Sequence, residues 1–245
     1  MAQNTFQTPF SPKIILGIAA HPDDLDFMDG GSVAAWTAEG VRVYYLILTN
    51  GNKGSSDIHA DPEALTELRR GEQRDAAKIL GVTDVFFLDY EDGLLVASLE
   101  VKRDIVRVIR RICPDTVLAV DPGMLYNTHQ GYIQINHPDH RAAGQAALDA
   151  VFPLARDHLS FPELFADEHL APHAVETVLL TNFERQNYFV DITATVDQKM
   201  KALRAHSSQI SDARQTCEMV RDVAARTGAK FGVQFAEGFL RVDIQ

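Results

Sequence analysis

The sequence predicts an α/β fold, a mostly parallel, doubly wound sheet with helices on both faces and an elaborated C-terminal part. Three observations carry this prediction. Short apolar runs rich in β-branched residues alternate with longer segments of helical periodicity from Ile14 to Val120. The first run, Ile14 to Ala20, is uninterrupted, as in a strand buried on both faces. Each run also ends in polar or glycine-rich residues, and in open α/β sheets ligands bind outside the carboxyl ends of the strands.

Residues 1–12 are polar and are expected as a loose tail before the first strand. After that strand, Pro22 sets its own φ and restricts His21 to extended geometry, a rigid turn that presents polar groups. Gly30-Gly31 then leads into a short helix, Ser32 to Ala38, ended by Gly40. Val41 to Leu48 is the second strand, and the loop Thr49 to Asp57 after it is flexible by composition. Asp61-Pro62 opens a helix with Pro at its first position, running to Leu80 and stopped by Gly81. Val85 to Leu88 is the third strand, followed by the polar segment Asp89 to Gly93. Leu99, Val101, Ile105, Val108, Ile109 and Ile112 form a helical stripe that Pro114 ends. Thr116 to Val120 is the fourth strand. Right-handed βαβ connections make this a Rossmann-like arrangement. No G-x-G-x-x-G follows the first strand, however, so a dinucleotide role has little support.

In the second half, Met124 to Ile135 reads as a loop and Arg141 to Phe152 as an Ala-rich helix. Pro153 to Pro172 reads as irregular. Val175 to Leu180 and Tyr188 to Ile192 read as strands, Ala194 to His206 and Ala213 to Thr227 as helices, before a Phe-rich close. There is no linker and no repeat. With 245 residues and 46% hydrophobic content the chain can bury one sizeable core, and a single domain over 1–245 is the simplest organisation.

The net charge of -11 argues against nucleic acid or an acidic membrane surface as partner. Lys102 to Arg111, the basic stretch, reads as a solvated helix face. Two isolated cysteines, Cys113 and Cys217, indicate neither a disulfide framework nor a thiolate metal site. With no signal-peptide pattern and no apolar span, a cytoplasmic protein is the default expectation.

Among nine histidines, the informative ones stand beside carboxylates. His21 and Asp24 are three apart, as are His137 and His140, and a turn places such residues on one side. Each pair could converge on one ion, and three N/O ligands plus a water define a catalytic zinc site. The plainer alternative for Asp23 and Asp24 is a helix N-cap, which needs neither the histidine nor a second aspartate. Two such clusters at matching sheet ends favour the metal.

Ala20-His21-Pro22-Asp23-Asp24 with His137-Pro138-Asp139-His140 resembles the PIG-L/LmbE-like zinc-dependent N-deacetylases, which act on N-acetylglucosamine-containing substrates. Further blocks match in order: Arg69-x-x-Glu72 with Leu80-Gly81-Val82, Tyr90-x-Asp92-Gly93-x-Leu95, Lys199-x-x-Ala202-Leu203-x-Ala205-His206-x-Ser208-Gln209, and Ala236-Glu237-x-Phe239. The resemblance implies one Zn2+ per chain held by His21, Asp24 and His140, other divalent metals being tolerated. It implies Asp23 as general base, and His137, oriented by Asp139, as oxyanion stabiliser or acid. Arg69 resembles a position bordering the substrate pocket, a salt bridge to Glu72 being the plainer reading. Asn50 is the second candidate for substrate binding, in the loop Asn50 to Asp61 where, with Met124 to Ile135, specificity is expected. Where the family usually has Glu, this chain has Asp26, expected to brace the loop rather than bind the ion.

The expected activity is therefore hydrolysis of the acetyl amide of an N-acetylglucosamine-type sugar, a small-molecule partner. The alternatives are a metal hydrolase of another N-acyl or phosphoester substrate, and a metal- or sugar-binding module without turnover. A homo-oligomer is compatible with the sequence, which does not specify one.

Overall fold

The computed structural model describes residues 10–129 and 132–244. Strands β1 (Ile14–Ala19), β2 (Arg42–Thr49), β3 (Asp84–Tyr90), β4 (Thr116–Val120) and β7 (Thr177–Thr181) run parallel to one another, and β8 (Tyr188–Asp191) and β9 (Ala236–Asp243) complete a seven-stranded sheet. The order is β3-β2-β1-β4-β7-β9-β8, with β9 antiparallel to both β7 and β8. A separate hairpin pairs β5 (Tyr126–His129) with β6 (Tyr132–Ile135), where the sequence reads as loop. Of the expected tail, residues 1–9 lie outside the described residues; Phe10 packs edge-on against Trp36 and Tyr188.

The strand alternation sorts the core. Leu16, Ile18, Leu46, Leu48, Val117 and Ala119 face one side, against α3 (Leu99–Ile112) and α4 (Pro138–Asp149). Ile15, Ala19, Val43, Tyr45 and Ile47 face the other, against α1 (Asp24–Ala38), α2 (Pro62–Leu80) and α6 (Val196–Leu203). Truncating a fully buried residue such as Leu46 or Ile105 to Ala typically costs about 2–5 kcal/mol. Helix α7 (Ala213–Phe231) packs on α6 over Cys217, Val220 and Ala224, and a short α5 (Pro162–Ala166) lies within the stretch expected to be irregular.

The helix boundaries follow local chemistry. Asp61 caps α2 by accepting from the Glu63 and Ala64 amides, and Gly81 ends it at φ 79°; Ser98 caps α3 through the Val101 amide. The expectation for α1 needs correction. The helix begins at Asp24, not Ser32, and Gly30-Gly31 lies inside it. Gly31 is there for space: a Cβ would come 2.6 Å from Ile192 Cδ1 and 3.0 Å from Glu237 Oε1. Helix α4 likewise starts at Pro138, within the second histidine motif. Both motifs therefore sit at helix N-termini beside the carboxyl ends of β1 and β4, which are direct neighbours. From β1 the chain winds to β2 on one side while β4 lies on the other, so the motifs meet at the switch point of the sheet.

Candidate active site

Between the end of β1 and Asp24 the chain turns through residues 20–23. Asp23 takes φ 100°, ψ -30°, a conformation costing a non-glycine residue on the order of 1–3 kcal/mol. Although Asp23 stands at the N-cap of α1, its side chain caps nothing, so capping does not account for it. Asp24 bridges the two motifs. Its Oδ2 accepts the His21 amide at 2.8 Å and lies 3.5 Å from His21 Nδ1, while its Oδ1 lies 3.0 Å from His140 Nε2.

Hydrogen bonding sorts the three imidazoles. His21 turns Nε2 to the carboxylates of Asp92 (3.1 Å) and Asp139 (3.3 Å), which leaves Nδ1 toward Asp24. His140 turns Nδ1 to Asn136 Oδ1 at 3.2 Å, an amide whose orientation is set because its Nδ2 donates to Met124 O. Its Nε2 thereby donates to Asp24 and can offer a lone pair to an ion once that proton is displaced. A ring whose other nitrogen donates to a carboxylate or carbonyl is the usual state of a metal-bound histidine. His137 is the reverse. Its Nδ1 accepts the Asp139 amide at 3.2 Å, so the neutral ring keeps its proton on Nε2 and has a donor, not a lone pair, to offer. Among the described residues, the groups of ligand atoms within 4.8 Å of one another are His21, His137 and His140, and His21, Asp92 and Asp139. The hydrogen bonds favour Asp24 over His137 as the third ligand beside His21 and His140.

The electrostatics point the same way. Burial works to lower the His21 pKa, but Asp24, Asp139 and Asp92 outweigh it and push it up to about 12. Burial would raise Asp24, yet His140 and His21 hold its carboxyl well below the usual range. Burial also opposes the charge of His140, which Asp24 raises. Carboxylates in excess of cations, gathered on deprotonatable imidazoles, form a donor set suited to a divalent ion, which would displace protons on binding. Asp23 is pushed up to about 7, first by burial and then by the charge of Asp24, against Arg69, His206 and His21. Burial and His21 lower the pKa of His137, which favours its neutral ring.

The structure reassigns several expected roles. The Asp139 carboxylate does not orient His137: it meets His21 Nε2 and accepts the amides of Gly93 (2.6 Å) and Leu95 (3.2 Å), and only its backbone N–H reaches His137. Arg69 is 4% exposed and spends its guanidinium on Pro22 O and Gly51 O, both at 2.8 Å, with Asp23 Oδ2 at 3.4 Å. That braces the turn before α1, and Glu72 is not its partner. Glu72 instead accepts from Ser207 and Ser208. Asn50 Oδ1 accepts the Asn52 and Asp92 amides, fastening the loop to the end of β3. Asp26 braces, as expected: it is fully buried and receives Tyr45 OH at 3.2 Å, Gln73 Nε2 at 2.7 Å and His206 Nε2 at 2.8 Å.

Three residues of the site have no role in the sequence-based expectations. Asp92 contacts His21 and accepts the Lys53 amide, which with His21 holds its pKa down to about 2 despite burial. Its place in a polar strand-end segment was the available signal. Gln73 and His206 reach the site only through the docking of α2 and of the segment after α6, which no local pattern announces.

Comparison with known proteins finds relatives along most of the chain. The family model described as PIG-L: GlcNAc-PI de-N-acetylase matches residues 16–151. A diacetylchitobiose deacetylase of Thermococcus kodakarensis is 35% identical over 233 residues, covering 94% of this chain and 84% of that protein. The solved N,N'-diacetylchitobiose deacetylase from Pyrococcus horikoshii superposes with a TM-score of 0.86 at 33% identity, over 99% of this chain and 87% of that one. A probable N-acetyl-alpha-D-glucosaminyl L-malate deacetylase 2 of Bacillus anthracis is 28% identical, over 80% of this chain and 81% of its own.

Proposed function

The chain belongs to the PIG-L family of de-N-acetylases, and from that premise we propose that it hydrolyses the acetyl amide of an N-acetylglucosamine-type sugar or glycoconjugate with one divalent ion, zinc, held by His21, Asp24 and His140. The observation that carries the reading is the sorting of the imidazoles: two turn toward Asp24 a ring nitrogen whose proton an ion would displace, and the third turns its accepting nitrogen to a backbone N–H and keeps a proton to donate.

When bound, the ion lowers the pKa of a water to about 7 and polarises the acetyl carbonyl. The chain's own groups do the rest. Asp23, the carboxylate beside the ligand Asp24, takes the proton of the attacking water and carries it to the amine nitrogen as the C–N bond breaks. His137, neutral with its proton on Nε2, donates to the carbonyl oxygen as negative charge develops there. Asp139 and Asp92 hold the His21 ring, and the amides of Gly93, Leu95 and Lys53 keep those carboxylates in place. A two-metal phosphoesterase is disfavoured, because a second ion on Asp92 and Asp139 would displace these bonds. A binding module without turnover would use neither Asp23 nor His137.

Acetate release from N-acetylglucosamine and diacetylchitobiose, with elemental analysis of the same preparation, tests the reading. Turnover that a chelator abolishes and zinc restores, at about one ion per chain, is the expected result. Metal-independent turnover, or a metal-loaded protein inert on the whole set of N-acetylated sugars, would overturn it.

A further inference from the structure

We propose that helix α2 grips the Pro22–Asp23 peptide at both of its polar ends, and that Gln73, acting with Arg69, is the positioning residue that aims Asp23. The inference rests on the reading of Asp23 as the base. The carbonyl of Pro22 accepts from Arg69 Nη2 at 2.8 Å, and the N–H of Asp23 donates to Gln73 Oε1 at 2.7 Å. These two groups belong to one peptide plane, which is rigid. Arg69 and Gln73 are four apart on α2 and so share a face; Gln73 is fully buried and Arg69 nearly so. Holding both ends fixes the tilt of the plane and with it the φ of Asp23, which otherwise relaxes from its strained value of 100°.

The Gln73 side chain cannot be turned over. Its Oε1 meets the Asp23 N–H, which can only donate, and its Nε2 donates to Asp26 Oδ2 at 2.7 Å. Asp26 is itself held by Tyr45 OH and His206 Nε2. Of the common side chains of this length, only an amide offers an acceptor to the Asp23 N–H and a donor to Asp26 at once. Glutamate keeps the first and sets two carboxylates face to face; leucine keeps neither.

A general base works only within hydrogen-bond reach of its proton, and a misplacement of about 1 Å can cost on the order of 10²-fold. Gln73→Leu and Gln73→Glu are therefore expected to lower kcat on the order of 10²-fold. KM and metal content should stay unchanged, and the Asp23 amide, protected in the wild type, should become freely exchanging. Adding Asp26→Asn to Gln73→Glu restores a donor opposite the new carboxylate, with His206 accepting in its other tautomer, and should recover much of the lost kcat. Undiminished kcat in the single variants, or loss of metal in step with kcat, would overturn the proposal. Should Gln73→Leu fail to fold, amide exchange in the wild-type holoprotein still decides: an Asp23 N–H exchanging as fast as an open loop refutes the grip. That measurement needs no turnover, so it stands apart from any failure of the deacetylase reading.

Discussion

Helix α1 carries two buried sets of charges about one to two turns apart, and they are built on opposite plans. At its first turn Asp24 faces His21 and His140, and the surrounding Asp23, Asp92 and Asp139 add further negative charge, with Arg69 as the permanent cation among them. Further along, Glu237 Oε1 takes Lys199 Nζ at 2.5 Å and the Gly31 amide at 3.0 Å, while its Oε2 takes the Ser32 amide at 2.6 Å. Lys199 also reaches Met28 O, and Thr181 Oγ1 lies 2.9 Å from both oxygens of Asp29. The second set answers Glu237 with the permanent charge of Lys199 and leaves Asp29 to the Thr181 hydroxyl, whereas the first meets Asp24, Asp92 and Asp139 with imidazoles, whose protons can be exchanged. A cavity of about 330 Å³ lined by Phe27, Met28, Met219 and Val220 lies against the second set. A buried cluster suits a receptor when its positive charge is an exchangeable proton on imidazole, and a strut when it is a permanent lysine ammonium.

Substitutions should separate the two. The largest effect is expected from His140→Ala or Asp24→Asn, which remove ligands: metal per chain should fall toward zero by elemental analysis, and hydrolysis with it. Metal retained in full by His140→Ala would move the receptor elsewhere. Next comes Asp23→Asn, which keeps the shape but cannot take a proton; turnover should drop on the order of 10²–10⁴-fold with metal content intact. Loss of metal in that variant would mean that Asp23 and Asp24 exchange roles.

In the strut the readout changes from rate to stability. Lys199→Met leaves Glu237 buried without its cation, a change that typically costs about 3–5 kcal/mol. Calorimetry should show Tm falling by roughly 2–4 °C per kcal/mol for a chain of this size, while kcat of the remaining folded protein holds. The smallest effect is expected from Asp29→Asn. Burial, then the charge of Glu237, push the Asp29 carboxyl well above its usual value, so the folded state holds this proton more tightly than the unfolded state does. The resulting penalty is absent below the unfolded pKa, grows as pH rises toward the folded one and is constant above it. Asparagine has no such dependence. The variant's Tm should gain on that of the wild type between acid and neutral pH, and a difference flat with pH would mean that Asp29 does not bear this penalty.

The same contrast explains what could be read without a structure. Helices α2 and α3 and strand β4 announce themselves through Asp61-Pro62, Gly81 and Pro114, which act within a few residues of the boundary they make. The receptor was legible for the same reason, since His21 with Asp24 and His137 with His140 are local spacings at strand or helix ends. The start of α1 was not. Gly30-Gly31 reads as a breaker until Ile192 and Glu237 are seen occupying the space a side chain would need. Nor could the partner of Asp139 be read, because its choice of His21 over His137 depends on how β3, α4 and β1 dock. The pairing of Tyr126–His129 with Tyr132–Ile135 was hidden because Leu125, Tyr126 and Ile135, at its ends, are exposed and announce no buried face.

The strand order also governs how the molecule comes together. Strand β9, the closing segment of the chain, is not an edge but lies between β7 and β8, hydrogen-bonded to both. Until it inserts, β8 has no neighbour in the sheet and β7 presents an open row of backbone donors and acceptors, the situation that invites pairing with other chains. Such long-range pairing is slow, because its loop entropy is lost before any contact is gained. During synthesis the two histidine motifs, complete by residue 140, leave the ribosome well before Glu237 can reach Gly31, Ser32 and Lys199. The half of the molecule that carries the candidate site thus waits, exposed on one flank, for a strand that contributes none of its residues and closes the sheet.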